Sequence, residues 1–219
     1  MSFNNVREMI AERTAQELKP YSIVNLGIGI PTMVANYLDE EQFFLHTENG
    51  MLGVTSVEEA DIDPSIVNAG KQPVGEAIGA SYFNSADSFA MIRGNHVDVA
   101  ILGALQVDSK GRVANWAIPG KDIIGVGGAM DLLEGAKKII ITTLHTSNSG
   151  APKIVDECAF PITSTRVADV IITDLAVFEW KGAGYELTEL MGSATVEEVR
   201  EKTTATYTVD PKLIVKGNR

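Results

Sequence analysis

The chain contains one cysteine, Cys158, so no intrachain disulfide can staple it, and such usage fits a reducing compartment, the cytoplasm, better than secretion. No apolar run approaches the ~18 residues needed to span a bilayer, and residues 1–20 lack the basic start and apolar centre of a secretory signal. Basic clusters are missing too. None is longer than Lys137 and Lys138, and 18 Lys+Arg against 29 Asp+Glu leave a net charge of −11, which repels a phosphate backbone and argues against nucleic acid. The three histidines, His46, His96 and His145, are scattered, and none has a second ligand at a zinc-site spacing. There is no G-x-S-x-G elbow and no G-x-x-x-x-G-K-[ST] loop, and Gly27-Ile28-Gly29 lacks the third glycine of a dinucleotide fingerprint. A polyanionic substrate would therefore have to be held by backbone N–H groups, a local cationic pocket or a second chain.

What is present is an ordinary globular composition, with 45% hydrophobic and 21% charged residues over 219 positions, enough to bury about 70% of the unfolded surface in one α/β domain. Apolar positions at Val6, Met9, Ile10, Ala15 and Leu18 predict an opening helix over 5–18, with Asn5 and Glu8 spaced as a capping pair. Ser22–Leu26 predicts a strand, Gly27 and Gly29 a tight turn, and Pro31 the first residue of a helix through Leu38. Another short strand is expected over 43–46, stopping at the Asn49-Gly50 turn, and residues 58–75 read mostly as loop with a short strand near Ile66. A helix over 85–93 is ended by Gly94. A long apolar run over 97–107, interrupted by Gly103, suits a strand buried on both faces, followed by a turn at 108–111. After a glycine-dense stretch over 119–135, strands are expected at 138–144, 170–173 and 176–180, the last turning back through Gly182 and Gly184. Thr195 with Glu198 forms a capping box for a final helix, and residues from about 205 to 219 read as an extended tail. The alternation predicts a mostly parallel sheet with flanking helices.

Two segments stand out chemically. In Leu45-His46-Thr47-Glu48-Asn49-Gly50-Met51-Leu52-Gly53 an ionisable carboxylate sits between an apolar strand and a turn. Strand ends are where α/β sheets place their chemistry, but the same residues also describe a hairpin whose turn Glu48 merely solvates. In Gly125-Val126-Gly127-Gly128-Ala129-Met130-Asp131, small residues let a backbone amide approach a substrate oxyanion, or else serve packing in a crowded turn.

Taken together with Asn25-Leu26-Gly27-Ile28-Gly29-Ile30-Pro31-Thr32, Asn68-Ala69-Gly70, Ile92-Arg93-Gly94, Leu102-Gly103-Ala104-Leu105-Gln106-Val107, Ala114-Asn115-Trp116 and Pro119-Gly120-Lys121, these segments resemble the β subunit, or C-terminal half, of family I CoA-transferases. That group includes acetoacetate, butyrate, 3-oxoacid and 3-oxoadipate CoA-transferases. The resemblance implies the α/β fold shared by CoA-transferases and ribose-phosphate isomerases. It further implies Glu48 as the nucleophile that forms a glutamyl-CoA thioester and Gly128 as its oxyanion donor, with substrate or CoA contacts at Gly27, Gly29, Asn49, Gly50, Gly103, Gly127 and Lys153. No cofactor is implied, since coenzyme A is itself a substrate. The implied partner is an α subunit, in an α2β2 or larger hetero-oligomer, and the implied substrates are short-chain acyl-CoAs and acids such as acetoacetate, acetate or butyrate. The chain departs from the usual signature at Thr47, where Ser is common, at Met51, where a branched aliphatic is common, and at Ser147-Asn148-Ser149-Gly150, which lacks the lysine often found there. Met51, Leu52 and Ile118 are expected as apolar cover excluding water. A non-catalytic ligand-binding module of the same fold and an acyl-CoA hydrolase stand as alternatives.

Overall fold

The most β-branched stretch of the chain becomes the centre of the molecule. In a computed structural model, which describes residues 3–121, 123 and 125–215, Ile139, Ile140 and Ile141 of β8 (Lys138–Thr142) are fully buried. Alternate side chains of a strand face opposite sides of a sheet, and here each side has its own core. On one face Ile139, Ile141, Ala100, Leu102 and Ile171 pack with Ile92, Leu132 and Leu133. On the other, Ile140, Val99, Ile101, Val24 and Ile172 pack with Ile10, Ala11 and Val34. Burial on both faces explains why these strands read as continuous apolar runs.

The helices on the first face are α3 (Ser85–Arg93) and α4 (Ala129–Gly135); those on the second are α1 (Phe3–Ala15) and α2 (Ile30–Met33), the latter continuing as a 3-10 turn over Val34–Tyr37. The strands β1 (Ile23–Leu26), β2 (Phe44–Thr47), β5 (Val99–Gly103), β8 and β10 (Val170–Ile172) form the parallel centre in the order β10-β8-β5-β1-β2. Antiparallel hairpins extend it at both sides, through β3 (Met51–Thr55) and β4 (Gly75–Tyr82) beyond β2, and through β11 (Ala176–Trp180) and β12 (Tyr185–Leu190) beyond β10. The extended C-terminal segment is β13 (Tyr207–Val215), which pairs parallel to β12 and makes the last of ten strands; residues 216–219 lie outside the described residues. The helix α5 (Val196–Lys202) starts as expected, the Thr195 hydroxyl accepting from the Glu198 amide at 3.2 Å.

Several boundaries differ from the sequence reading. The helix α1 is already formed at Phe3, so Asn5 lies inside its first turn and is not its cap, and it ends at Ala15. The long strand expected over 97–107 is two strands in two sheets. The second, β6 (Gln106–Asp108), joins β7 (Val113–Ala114) and β9 (Ile154–Val155) in a three-stranded sheet. The break falls at Gly103, the glycine that interrupts the run, where the Asn115 side chain donates to the Gly103 carbonyl at 3.3 Å. Near Ile66 there is only an isolated bridge, Val67 to Pro73, while β4 was not anticipated, its side chains being mostly exposed and its interior interrupted by Gly79.

The helices α3 and α4 touch through Gly135, where a Cβ would stand 2.2 Å from the Ile92 carbonyl oxygen. Gly135→Ala is expected to force the two helices apart and cost about 2 kcal/mol, in the range of overpacked cores. Urea denaturation checks this, and an unchanged midpoint would contradict the contact.

Candidate active site

Because β2, β1, β5 and β8 run parallel, their carboxyl ends lie along one edge of the sheet, which brings Glu48, Gly27, Gly103 and Thr143 to the same side. From β1 the chain builds outward first through β2, β3 and β4, then back on the other side through β5 and β8. The crevice outside such a reversal is the usual ligand site of an open α/β sheet.

Glu48 stands at the tip of the β2–β3 hairpin, so the hairpin reading of this segment is right about the backbone. It is not right about solvation, because Glu48 is half-buried. The turn is closed by the Gly50 amide donating to the Thr47 carbonyl at 3.1 Å. Gly50 has φ +125°, and a Cβ there would lie 2.1 Å from the Phe83 carbonyl oxygen, so only glycine fits. The Phe83 amide donates back to the Gly50 carbonyl at 3.0 Å, and the exposed Asn49 side chain donates to the Val67 carbonyl at 2.9 Å.

The glycine-dense segment comes to this hairpin from 80 positions away. A Cβ on Gly128, the residue before α4, would lie 3.1 Å from Glu48 Cγ and 3.4 Å from Phe89 Cζ. The adjacent Gly127 has φ +56° with open space where a side chain would be. Gly27 donates its amide to Ile101 at 2.8 Å, and its missing Cβ would press on Leu102 Cδ2 at 3.0 Å; Gly29 has φ +95° and precedes α2. At the end of β5, Gly103 faces the Ile28 carbonyl, 4.0 Å from where its Cβ would be. Lys153 lies on the same edge but by β8, its ammonium donating to Thr143 Oγ1 at 2.9 Å. Three strand spacings separate β8 from β2, about 14 Å, and burial lowers the Lys153 pKa.

A cavity of about 480 Å³ adjoins the hairpin, lined by Leu26, Ile28, Leu38 and Leu45 with Thr32 and Ser56, and bounded by His46 and Thr47. Met51, Leu52 and Ile118, expected as cover over the carboxylate, do not line this cavity, and neither does Glu48 itself. The reason is pairing: Met51 is buried opposite Thr47 and Tyr82 in the hairpin ladder, which uses its side chain for packing.

Sequence reasoning considered His46 only as a metal ligand. Among the described residues no cluster of three such donors is gathered anywhere. Instead His46 is buried, with Nδ1 at 3.0 Å from Asn25 Nδ2 and Nε2 at 3.1 Å from Ser88 Oγ. Asn25 Nδ2 also donates to the His46 carbonyl at 3.0 Å, which fixes the amide nitrogen toward the ring. Nδ1 is then the acceptor, and Nε2–H donates to Ser88. Burial pushes the His46 pKa down to about 4, so the ring is neutral near pH 7. The available signal was a histidine in an apolar strand two residues before a carboxylate.

The fold and the comparisons with known proteins agree. The coenzyme A transferase family model matches residues 7–202. This chain belongs to that family. It is 48% identical over 205 residues to the B subunit of the succinyl-CoA:3-ketoacid coenzyme A transferase of Helicobacter pylori, covering 93% of this chain and 99% of that one. It is 47% identical to the β subunit of the acetate CoA-transferase of Escherichia coli, covering 94% of each. Among solved structures it resembles the acyl-CoA transferase YdiF of Escherichia coli O157:H7 in fold, with a TM-score of 0.79 at 24% identity over 96% of this chain. It spans 43% of that longer chain. The CoA-transferase is thus an enzyme of CoA transfer between an acyl-CoA and an acid, and among its described residues no helix is long and apolar enough to cross a membrane.

A second buried histidine shares the behaviour of His46. His145 lies between Thr173 Oγ1 and Thr203 Oγ1, each at 2.9 Å, and burial likewise pushes its pKa down to about 4. Once unfolded, both rings take up a proton below the usual value of about 6.5, while the native rings stay neutral until about 4. Their contribution to stability is therefore full at neutral pH and is lost as pH falls from 6.5 toward 4. By pH 5 the expected loss is about 2 kcal/mol per histidine; equal urea stabilities at pH 7 and pH 5 would contradict the neutral assignments.

Proposed function

We propose that this chain is the β subunit of a CoA-transferase that passes CoA between short-chain acids through a glutamyl-CoA thioester on Glu48, with an α subunit completing the active site. The observation that carries the reading is the approach of Gly128 to Glu48, with 3.1 Å between the position of a Cβ and Glu48 Cγ. The missing side chain lets the Gly128 peptide stand directly beside a half-buried carboxylate.

The Glu48 carboxylate attacks the thioester carbonyl, and collapse of the tetrahedral adduct expels CoA thiolate and leaves an acyl-glutamyl anhydride. The thiolate then attacks the glutamyl carbonyl, releasing the first acid and forming glutamyl-CoA. A second acid reverses both steps, takes the CoA away and restores the carboxylate. Exchange of one thioester for another needs no ATP. The first step is uphill, since a carboxylate is a far weaker base than the thiolate it displaces, by about four pK units in model compounds. Negative charge gathers on an oxygen in each tetrahedral adduct, and one preorganised donor such as the Gly128 amide is worth about 3 kcal/mol to it. Contacts to the distant parts of CoA offset the remaining climb. We assign such contacts to Gly27, Gly29, Asn49, Gly50, Gly103 and Gly127 along the strand ends, and to Lys153 farther along the edge.

The need for an α subunit rests on charge and surface. A net charge of −11 opposes a polyanionic substrate. Ile28, Ile78 and Tyr82, on and beside the elements that carry the site, are 71%, 108% and 56% exposed, as befits a surface that a partner covers. The relatives are named as B or β subunits, and the longer YdiF chain has room for a second such unit. We read the assembly as α2β2 or larger and cytoplasmic. The substrates are short-chain acids, a 3-oxoacid such as acetoacetate together with acetate, butyrate or succinate, in line with the relatives' names.

Incubation of the assembled enzyme with acyl-CoA is expected to place a hydroxylamine-sensitive CoA adduct on Glu48, visible by mass spectrometry, and Glu48→Gln is expected to abolish transfer without unfolding the protein. CoA release that needs no acid acceptor would instead mark a hydrolase. Gly128 has φ −84°, so alanine is tolerated by the backbone there and meets only Glu48 and Phe89. Gly128→Ala should lower kcat about tenfold by displacing the carboxylate, with little change in thermal midpoint; wild-type turnover in this variant would exclude the close approach. Full turnover by the purified chain without a partner would refute the need for an α subunit.

A further inference from the structure

The Glu48 hairpin is held from below by a buried polar bridge with no counterpart among the substrate contacts assigned above. His46 pairs in register with Asn25 across β1 and β2, and its ring joins Asn25 on β1 to Ser88 on α3. Ser88 Oγ in turn reaches the Thr47 carbonyl, the peptide that leads into Glu48, at 3.5 Å. The ring also lies over Phe83, with centroids 5.9 Å apart and planes 12° from parallel. Phe83 is the residue whose backbone clasps Gly50 on the far side of the turn, and Phe89, one residue after Ser88, touches the space between Gly128 and Glu48.

We propose that His46 is a positioning residue for the transfer reaction, its neutral ring tying β1, β2 and α3 together so that the Glu48 carboxylate stays aligned with the Gly128 amide. The inference rests on the reading of Glu48 as nucleophile. The chemistry asks for histidine in particular. One end of the bridge presents a donor, Asn25 Nδ2, so the ring nitrogen facing it accepts, and the proton of the neutral ring then lies on Nε2 and faces Ser88 Oγ, which accepts it. A neutral imidazole does both within one rigid plane. A protonated ring would set a donor against the donor of Asn25, and an aliphatic side chain would remove the buried ring contacts to both, leaving Asn25 only its bond to the backbone carbonyl of residue 46 and Ser88 only the 3.5 Å contact to Thr47. Ser88 Oγ, freed to donate by accepting from Nε2–H, carries the constraint on to the Thr47 peptide.

The experiment compares His46→Leu, His46→Gln and Ser88→Ala in the enzyme assembled with its α subunit, by steady-state kinetics and by quenched-flow measurement of the CoA adduct on Glu48. Misplacement of a reacting group by about 1 Å costs about 100-fold. His46→Leu is expected to lower kcat and the rate of adduct formation by about that factor, with KM within about threefold of wild type. Glutamine retains a nitrogen donor near the Nε2 position and is expected to recover activity to within about tenfold of wild type. Ser88→Ala leaves the ring in place but cuts its link to Thr47, and should slow adduct formation about tenfold with the folded fraction unchanged; it decides the matter if His46→Leu does not assemble. Adduct formation at the wild-type rate in folded His46→Leu, or in Ser88→Ala where the leucine variant does not assemble, overturns this inference and leaves the nucleophile assignment intact. Transfer by Glu48→Gln would instead remove the reading beneath it.

Discussion

Parallel pairing of β1 with β2 on one side and β5 on the other is the constraint from which the site follows. With registers Asn25 to His46 and Asn25 to Ala100, β1 and β2 end level and β5 runs two residues further, so the glycine turn after β1, the carboxylate after β2 and Gly103 of β5 lie at one edge of the sheet. The pairing is enforced by burial on both faces. A slip of one residue would send Val24, Val99 and Ile101 from one core into the other and unpack both. Stability and catalytic geometry thus draw on the same apolar contacts.

On that frame the local devices are few. A glycine at position 50 lets the hairpin turn sharply against Phe83, and a glycine at position 128 lets a distant loop come within van der Waals contact of Glu48. Neither position tolerates a larger residue without moving a neighbour. Between them the Asn25–His46–Ser88 bridge supplies directional contacts that hydrophobic packing cannot, which is the general reason for tolerating polar groups in a core. Apolar burial sets how firmly the sheet holds; the polar bridge sets where the carboxylate points.

The helices α3 and α5 were legible nearly to the residue, because each carries a local signal: Gly94 after α3, and Thr195 three residues before Glu198 for α5. The buried strands were legible as apolar runs, and Gly103 was legible as an interruption of the run over 97–107, but not that its two parts join different sheets, since hydropathy does not record which sheet a strand joins. The edge strand β4 was missed because its side chains face solvent and so leave no apolar pattern. Of the site, the Glu48 segment and the Gly128 segment were each visible yet ambiguous alone, and their resemblance to a known family was what joined them. The bridge through His46 was not visible, since its partners lie 21 and 42 positions away on other elements.

The sequence by itself determined the chemistry available to this protein: one carboxylate before an Asn-Gly turn, a glycine cluster free of bulky side chains, no metal-ligand spacing, and two-faced apolar strands that commit the chain to an α/β sheet. Those are properties of residue types and of short spacings, and physical chemistry acts on them within a few positions. Tertiary structure decided the rest: that Gly128 meets Glu48, that Lys153 lies by β8, and that His46 bridges Asn25 and Ser88 beneath the hairpin. The reason is that such contacts depend on strand order and register, which arise from the summed burial of both cores and are written in no single segment.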